Sequence, residues 1–285
     1  NMKSIIFEKY QGNGNDFIII DSRDNNLYYK FLSNDLFVVK ELCNRNFGIG
    51  ADGIIFLTVP DDSNDVKMII YNSDGSEAEM CGNGIRCLIE YLSNENNNKK
   101  KIFKIETKAG LKIAKYEKGQ ISVSMGKPIL MPKFIPTTIN TFSKGVPYSS
   151  FEIDNFSNLG YSVGMGNPHL IFFLDDLTKI NHFQLGPVFE KSKYFPEKTN
   201  IHFCQILDEK TINVKVWERG AGATLACGTG ACAIHVAAYK LGLCNFQTTI
   251  NLPGGPLFID WKDNNQEVIM KGYAKSVFKG NYLLK

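Results

Sequence analysis

The sequence predicts an α/β protein, of α+β character, built from two halves that share one plan. Three observations carry this. Two near-identical turns lie about half a chain apart, Cys81-Gly82-Asn83-Gly84 and Cys227-Gly228-Thr229-Gly230. Each opens an apolar run at helical spacing: Ile85, Leu88, Ile89 and Leu92 in the first half, Ala233, Val236 and Ala237 in the second. Short runs rich in Ile, Val, Phe and Tyr surround both helices, as strands do.

The first half opens with strands over Ser4 to Glu8 and Phe17 to Asp21. Asn34 or Asp35 then caps a helix over Leu36 to Cys43, whose apolar residues recur at helical spacing. Strands over Gly53 to Thr58 and Val66 to Asn72 lead into a turn-rich segment and the helix beginning near Gly82. Three strands close the half, around Lys101 to Thr107, Leu111 to Tyr116 and Ile121 to Met125. Pro128, Pro132 and Pro136, with few helix formers between them, predict an extended connection and place the domain boundary there. The second half runs through strands at Tyr161 to Met165, Leu170 to Leu174, Asn200 to Leu207 and Thr211 to Glu218. Its own Cys-headed helix covers Gly228 to Leu241, followed by strands at Gln247 to Leu252, Leu257 to Trp261 and Glu267 to Lys271.

The 285 residues, 44% of them hydrophobic, are enough to bury a sizeable core in two domains. A net charge of +3 argues against a nucleic-acid surface, and the basic run Lys99-Lys100-Lys101 follows Asn96-Asn97-Asn98 in what reads as a solvated loop. The apolar runs are too short to span a bilayer and no signal peptide is evident, so a soluble, cytoplasmic protein is expected. Asn1 ahead of Met2 reads as an expression remnant. Seven cysteines without a C-x-x-C pair fit neither a disulfide framework nor a zinc knuckle, and point to a reducing compartment. Cys43, Cys87, Cys204, Cys232 and Cys244 fall in apolar patterns and are expected to be buried small hydrophobes. The four histidines show no paired spacing, so no metal is expected.

Chemistry concentrates at the two turns. A cysteine at a helix N-terminus meets unpaired N–H groups and the positive end of the helix dipole, which can draw a thiol below its free pKa of about 8.5. One such sulfur from each half, one removing a proton and the other returning it, would invert a carbon centre. Structure alone does not ask for cysteine at a cap, where Ser, Thr, Asp or Asn is favoured. Glu218 and Arg219, ahead of a glycine-rich stretch, offer a charge pair to a zwitterionic ligand, since Arg grips a carboxylate with two donors. Gly164 to His169 and Thr199-Asn200 are polar interruptions between apolar strands, and His169 reads either as a core histidine or as a base beside a thiol. Gly48 to Gly53 matches the dinucleotide fingerprint in letters, but a strand follows it where a helix is needed. At Gly228 a helix does follow, so an anion is reasonable there.

Over nearly its whole length the chain resembles diaminopimelate epimerase. The resemblance lies in N-x-D-G-S-x4-C-G-N-G-x-R from Asn72 to Arg86, E-R-G-A-G-A-T at Glu218 to Thr224, A-C-G-T-G-A-C-A at Ala226 to Ala233, G-N-P-H at Gly166 to His169 and G-N-D-F at Gly14 to Phe17. It implies two pseudo-symmetric domains, each a curved, mostly antiparallel mixed sheet around a central helix. These are residues 1–127 plus 273–285 and residues 128–272, with the active site in the cleft between them and the strand near Lys275 to Leu284 returning to the first domain. It also implies cofactor-independent interconversion of L,L- and meso-diaminopimelate, for lysine and peptidoglycan precursors, by a homodimer. Cys81 and Cys227 match the catalytic cysteines and His169 and Glu218 residues that help deprotonate them. Substrate binding carries over to Asn15, Asn72, Asn167, Asn200, Glu218 and Arg219, with backbone groups of Gly82, Asn83, Gly228 and Thr229 around the reacting carboxylate. Some members have Gln at Gly53, which puts a contact from that loop in doubt.

No pyridoxal-lysine motif is evident, so the helix N-termini must stabilise the carbanion themselves. Two rivals stay open: another isomerase of the same fold such as proline racemase, and a phosphate- or nucleotide-binding module using the helix at Gly228.

Overall fold

The computed structural model describes residues 4–24, 28, 37–95 and 100–283. The expected cap at Asn34 or Asp35, Leu36, the Asn96 to Lys99 stretch, Asn1, Met2 and Leu284 lie outside the described residues. Two compact units divide the chain: Asn1–Val123 with Gly272–Lys285, and Ser124–Lys271.

In the first unit, the elements in order are β1 (Ser4–Gly12), β2 (Asn15–Asp21), α1 (Phe37–Cys43), β3 (Gly53–Thr58), β4 (Val66–Asn72), β5 (Glu77–Ala78), α2 (Gly82–Asn94), β6 (Ile102–Thr107), β7 (Gly110–Glu117) and β8 (Gln120–Ser124). The final strand of the chain, β18 (Lys275–Leu283), returns to pair antiparallel with β1. Strands lie side by side as β18-β1-β2-β3-β4-β6-β7-β8, with β2/β3 and β4/β6 parallel and the rest antiparallel. Helix α2 touches β18, β1 and β2 near one end of this row and β7 near the other, so the sheet curls around it. The row explains why β3 is apolar throughout. Ile54 and Phe56 pack on Val39 and Leu42 of α1, while Ile55 on the opposite face reaches toward Gly84 of α2. A strand covered on both faces has no need of polar alternation.

The second unit holds β9 (Thr141–Ser143), β10 (Val146–Ile153), β11 (Phe156–Gly164), β12 (Pro168–Phe173), α3 (His182–Glu190), β13 (Asn200–Asp208), β14 (Thr211–Trp217), α4 (Gly228–Leu241), β15 (Gln247–Leu252), β16 (Gly255–Asp260) and β17 (Ile269–Gly272). They pair in numerical order, with β12/β13 and β14/β15 parallel. From β10 to β17 the succession of parallel and antiparallel neighbours repeats that of the first unit, and α4 occupies the place of α2. The central helix again meets strands from both ends of the row, β10 and β11 as well as β15 and β16. Its outer core is aromatic: Phe151, Phe156, Phe172, Phe189 and Phe203 meet edge to face or tilted, and Phe172 stacks on Phe203 at 5.6 Å. Such pairs contribute about 0.5–1.5 kcal/mol each beyond their buried area.

The sequence reading lacks β9, β10 and α3. Pro147 interrupts the β10 pattern, and Gly186-Pro187 sits inside α3 against its local propensity. Packing overrides that: a Cβ at Gly186 would lie 2.4 Å from Trp217 Cγ, so glycine lets the helix settle on the indole. The Pro128 to Pro136 connection is also less extended than expected. Ile129 exchanges two 2.8 Å backbone bonds with Gly164, and Pro132–Phe134 forms a 3₁₀ turn. Among the described residues no helix is long and apolar enough to cross a membrane.

Candidate active site

Each central helix begins on a cysteine. Cys81 has extended backbone (φ −141°, ψ 117°), and its Sγ accepts the Gly84 N–H at 3.4 Å, capping α2. Asn15, at the start of β2, places Oδ1 3.7 Å from Cys81 Sγ and accepts from Asn83 Nδ2 at 3.2 Å. The Asn15 amide is turned this way because its Nδ2 donates to Asp52 Oδ2 at 2.8 Å, and Asp52 is held in turn by Arg45. Beneath the turn lies Arg86, fully buried, which donates to Asn13 Oδ1 (2.8 Å), the Tyr273 carbonyl (2.7 Å) and Asn83 Oδ1. Burial pulls its pKa down, while the sulfurs of Cys87 and Cys81 push it up. Asn72 ends β4 in solvent and bonds to Ser76 across its own turn. At Gly53 a Cβ would stand 2.5 Å from the Tyr71 carbonyl oxygen, so this backbone leaves no room for a side chain.

Cys227 caps α4 with extended backbone (φ −132°, ψ 101°) and is 3% exposed. Its Sγ lies 3.7 Å from Thr229 Oγ1. Burial pushes the Cys227 thiol well above its ordinary range, and the Glu218 carboxylate adds to this; the Thr229 hydroxyl and the Gly230 N–H pull the other way. The acidification expected from the helix end is therefore outweighed in this half by desolvation and a neighbouring negative charge. Glu218 is fixed by a tight turn: it exchanges backbone bonds with Gly222 (2.7 and 2.9 Å) and accepts the Thr224 hydroxyl. Positive φ at Gly220 (78°) and Gly222 (80°) makes that turn, which explains the glycines after Arg219.

His169 and His202 stand side by side on β12 and β13, His169 Nδ1 lying 2.9 Å from His202 Nε2. His169 Nε2 bonds to Asn167 Oδ1 at 2.8 Å. With that oxygen accepting, the His169 ring carries its proton on Nε2 and His202 donates to Nδ1. Burial keeps both rings neutral, with the pKa of His169 well below its ordinary value and that of His202 at about 3. Both nitrogens of His169 are engaged, and the Glu218 carboxylate bears on the Cys227 thiol. Asn200 braces the end of β13, donating to the Pro168 carbonyl (2.9 Å) and accepting the Arg219 N–H (3.0 Å). Arg219 itself is exposed, bonds to the Glu197 carbonyl at 2.9 Å, and forms no ion pair among the described residues.

The model of the diaminopimelate epimerase family matches residues 7–131 and 161–277. The chain belongs to this family. The diaminopimelate epimerase of Prochlorococcus marinus (strain NATL2A) is 50% identical over 278 residues, covering 96% of this chain and 97% of the relative. That of Carboxydothermus hydrogenoformans is 45% identical over 280 residues, covering 98% and 99%. Solved structures at far lower identity share the fold: a phenazine biosynthesis PhzF family protein of Enterococcus faecalis (TM-score 0.68, 13% identity, 99% of this chain and 100% of that one) and a hydroxyproline epimerase of Agrobacterium vitis (TM-score 0.67, 10%, 99% and 93%). The α/β fold read from the sequence is the fold of the diaminopimelate epimerase family and of these neighbours.

Within this family member the first unit gathers Cys81, Asn83 and Asn15, and the second gathers Cys227, Thr229, Glu218, His169, Asn167, Asn200 and Arg219. Gly82 and Gly228 supply the first helical N–H groups. Sequence reasoning missed Asp52, Arg86 and His202 as parts of these clusters. Arg86 lay inside the quoted motif, and its burial was the unread signal. His202 alternates along a strand, and only the β12/β13 pairing brings it to His169.

Proposed function

We propose that the protein interconverts L,L- and meso-diaminopimelate without a cofactor, in the supply of lysine and cell-wall precursors, with Cys81 and Cys227 serving opposite faces of one α-carbon. The observation that carries this reading is that the two cysteines cap topologically equivalent helices in the two units. In one direction a thiolate takes the α-hydrogen, the C–H bond breaks, and the electron pair spreads into the carboxylate. The second sulfur, still a thiol, gives its hydrogen to the opposite face and is left as thiolate. The two sulfurs thus exchange states with each turnover. Cys227, held protonated by burial and by Glu218, suits the donor, which leaves Cys81, at the N-cap of α2, as the acceptor.

The α-carboxylate is a very weak electron sink in water. Oriented N–H groups at the helix ends supply the missing stabilisation, each worth about 3 kcal/mol, roughly a hundredfold in rate. Arg219, exposed and without an ion-pair partner among the described residues, is free to grip the distal carboxylate that proline lacks. The same reading includes a cytoplasmic location, no nucleic-acid partner, and a homodimer. The exposed apolar side chains Val277, Phe278 and Leu283 of β18 support the last.

The test is incubation with L,L-diaminopimelate in D2O without added cofactor, following chirality and deuterium uptake. Wild-type protein is expected to label the α-position and each of Cys81→Ala and Cys227→Ala to lose epimerisation. Wild-type uptake in the double alanine variant would remove the proposal, and turnover of free proline instead would favour the racemase reading.

A further inference from the structure

We propose that His169, His202 and Cys227 form a binding site for a thiophilic divalent cation, zinc above all, and that its occupation switches the enzyme off. Their ligating atoms all lie within 4.8 Å of one another, and all three residues are buried. They come from three separate elements, β12, β13 and the cap of α4, so no spacing in the chain announces them. Two neutral imidazoles and one thiolate form a donor set that zinc favours, with a fourth position left for water. Ligand distances of about 2.0–2.3 Å in a tetrahedron put donors about 3.5 Å apart, so the widest pair must close by roughly an ångström.

Two further observations point the same way. Among the described residues His202 Nδ1, which is buried, has no hydrogen-bond partner, so the ring is held in place at the cost of an unsatisfied polar atom. Gly230 has no room for a Cβ, which would meet His202 Cε1 at 2.3 Å, His202 Nε2 at 2.7 Å and Cys227 Sγ at 3.0 Å. The glycine thus lets sulfur and imidazole approach each other.

The protons balance simply. The cation takes the place of the hydrogen between the two rings, which moves to His202 Nδ1, and Cys227 loses its thiol proton to solvent. Binding therefore releases one proton per ion and leaves Cys227 as a metal-bound thiolate. A sulfur so held neither gives nor takes hydrogen, and this consequence rests on the reading of Cys227 as a working thiol; the binding itself does not.

The probe is Co2+ added to the metal-free whole chain, read by its thiolate-to-cobalt charge-transfer absorption and by displacement with Zn2+. One ion per chain is expected, with the band present in wild type and Cys81→Ala and absent in Cys227→Ser. His202→Gln, its fold checked by circular dichroism, is expected to weaken binding about tenfold to a hundredfold. A band that survives in Cys227→Ser, or an unchanged affinity in folded His202→Gln, would overturn the site. Turnover of the wild type should fall in step with occupancy and return with chelator. Full turnover with the site demonstrably filled would overturn the switch and the catalytic role of Cys227 together, while leaving the site.

Discussion

Gly84 and Gly230 are the third residues of α2 and α4, yet alanine should act on them with opposite sign. In each helix the substitution gains up to about 1 kcal/mol of backbone propensity. At Gly84 the new Cβ meets the methyl ends of Ile55 and Ile70 at 3.3 Å and Cys81 Cβ at 3.4 Å, contacts that yield by tenths of an ångström. Gly84→Ala should therefore be neutral or stabilising by under about 1 kcal/mol. At Gly230 the same atom lands 2.3 Å from a ring that is fully buried and hydrogen bonded to His169. Overpacking of this kind costs about 1–3 kcal/mol, and loosening the His169–His202 bond about 1 more, so Gly230→Ala should lose about 1–3 kcal/mol net. At roughly 2–4 °C per kcal/mol this lowers Tm by about 2–12 °C. The assay is thermal and urea unfolding of both variants, repeated with His202→Ala, which removes the obstructing ring. In that background the cost of Gly230→Ala should largely vanish. Equal effects at the two glycines, or an undiminished cost beside Ala at 202, would refute the packing argument.

Arg219→Lys should cut kcat/KM for diaminopimelate at least tenfold with Tm unchanged, because a point charge replaces a planar fork on an exposed side chain; near-normal kinetics would take Arg219 out of the site. Arg86→Met strips Asn13, Asn83 and the Tyr273 carbonyl of a buried donor and should cost about 2–4 kcal/mol in urea unfolding, with a stability within 1 kcal/mol of wild type counting against this account. Acidification should destabilise the protein through His169 and His202. Both stay neutral when folded but take up protons below about 6.5 when unfolded, so stability rises with pH below about 6.5, for His202 from about 3 upward, and is lost on the way down, by up to about 1.4 kcal/mol per pH unit for each ring. His202→Gln should flatten that slope in urea unfolding between pH 7 and 5, and an unaltered slope would assign the acid sensitivity elsewhere.

Much of this fold was legible because local and tertiary preferences agree. The boundaries of β3, β4, β15 and α4 read from the residues are those of the structure, and each is a long apolar or strongly patterned run. Cys43, Cys87, Cys204, Cys232 and Cys244 are all buried, as their apolar neighbours suggest. The elements that escaped are those where a distant residue decides, as Trp217 does for the glycine and proline of α3. At the candidate site the helix caps were readable, since cysteine is a poor cap and its presence asks for a reason. The protonation of Cys227 was not, because it depends on how much water the fold removes and on a carboxylate brought in by a glycine turn. His202 escaped for a related reason: a partner one strand away leaves no mark in spacing.

The pairing of β1 with β18 joins segments more than 250 residues apart, and so bears on the order of assembly on the ribosome. Ser124–Lys271 is continuous and can close as soon as it emerges. The unit that is translated first must wait, with one edge of β1 open and Ile5 and Phe7 exposed, until Lys275–Leu283 leaves the exit tunnel. A premature stop ahead of Lys275 would therefore spoil the unit that holds β1.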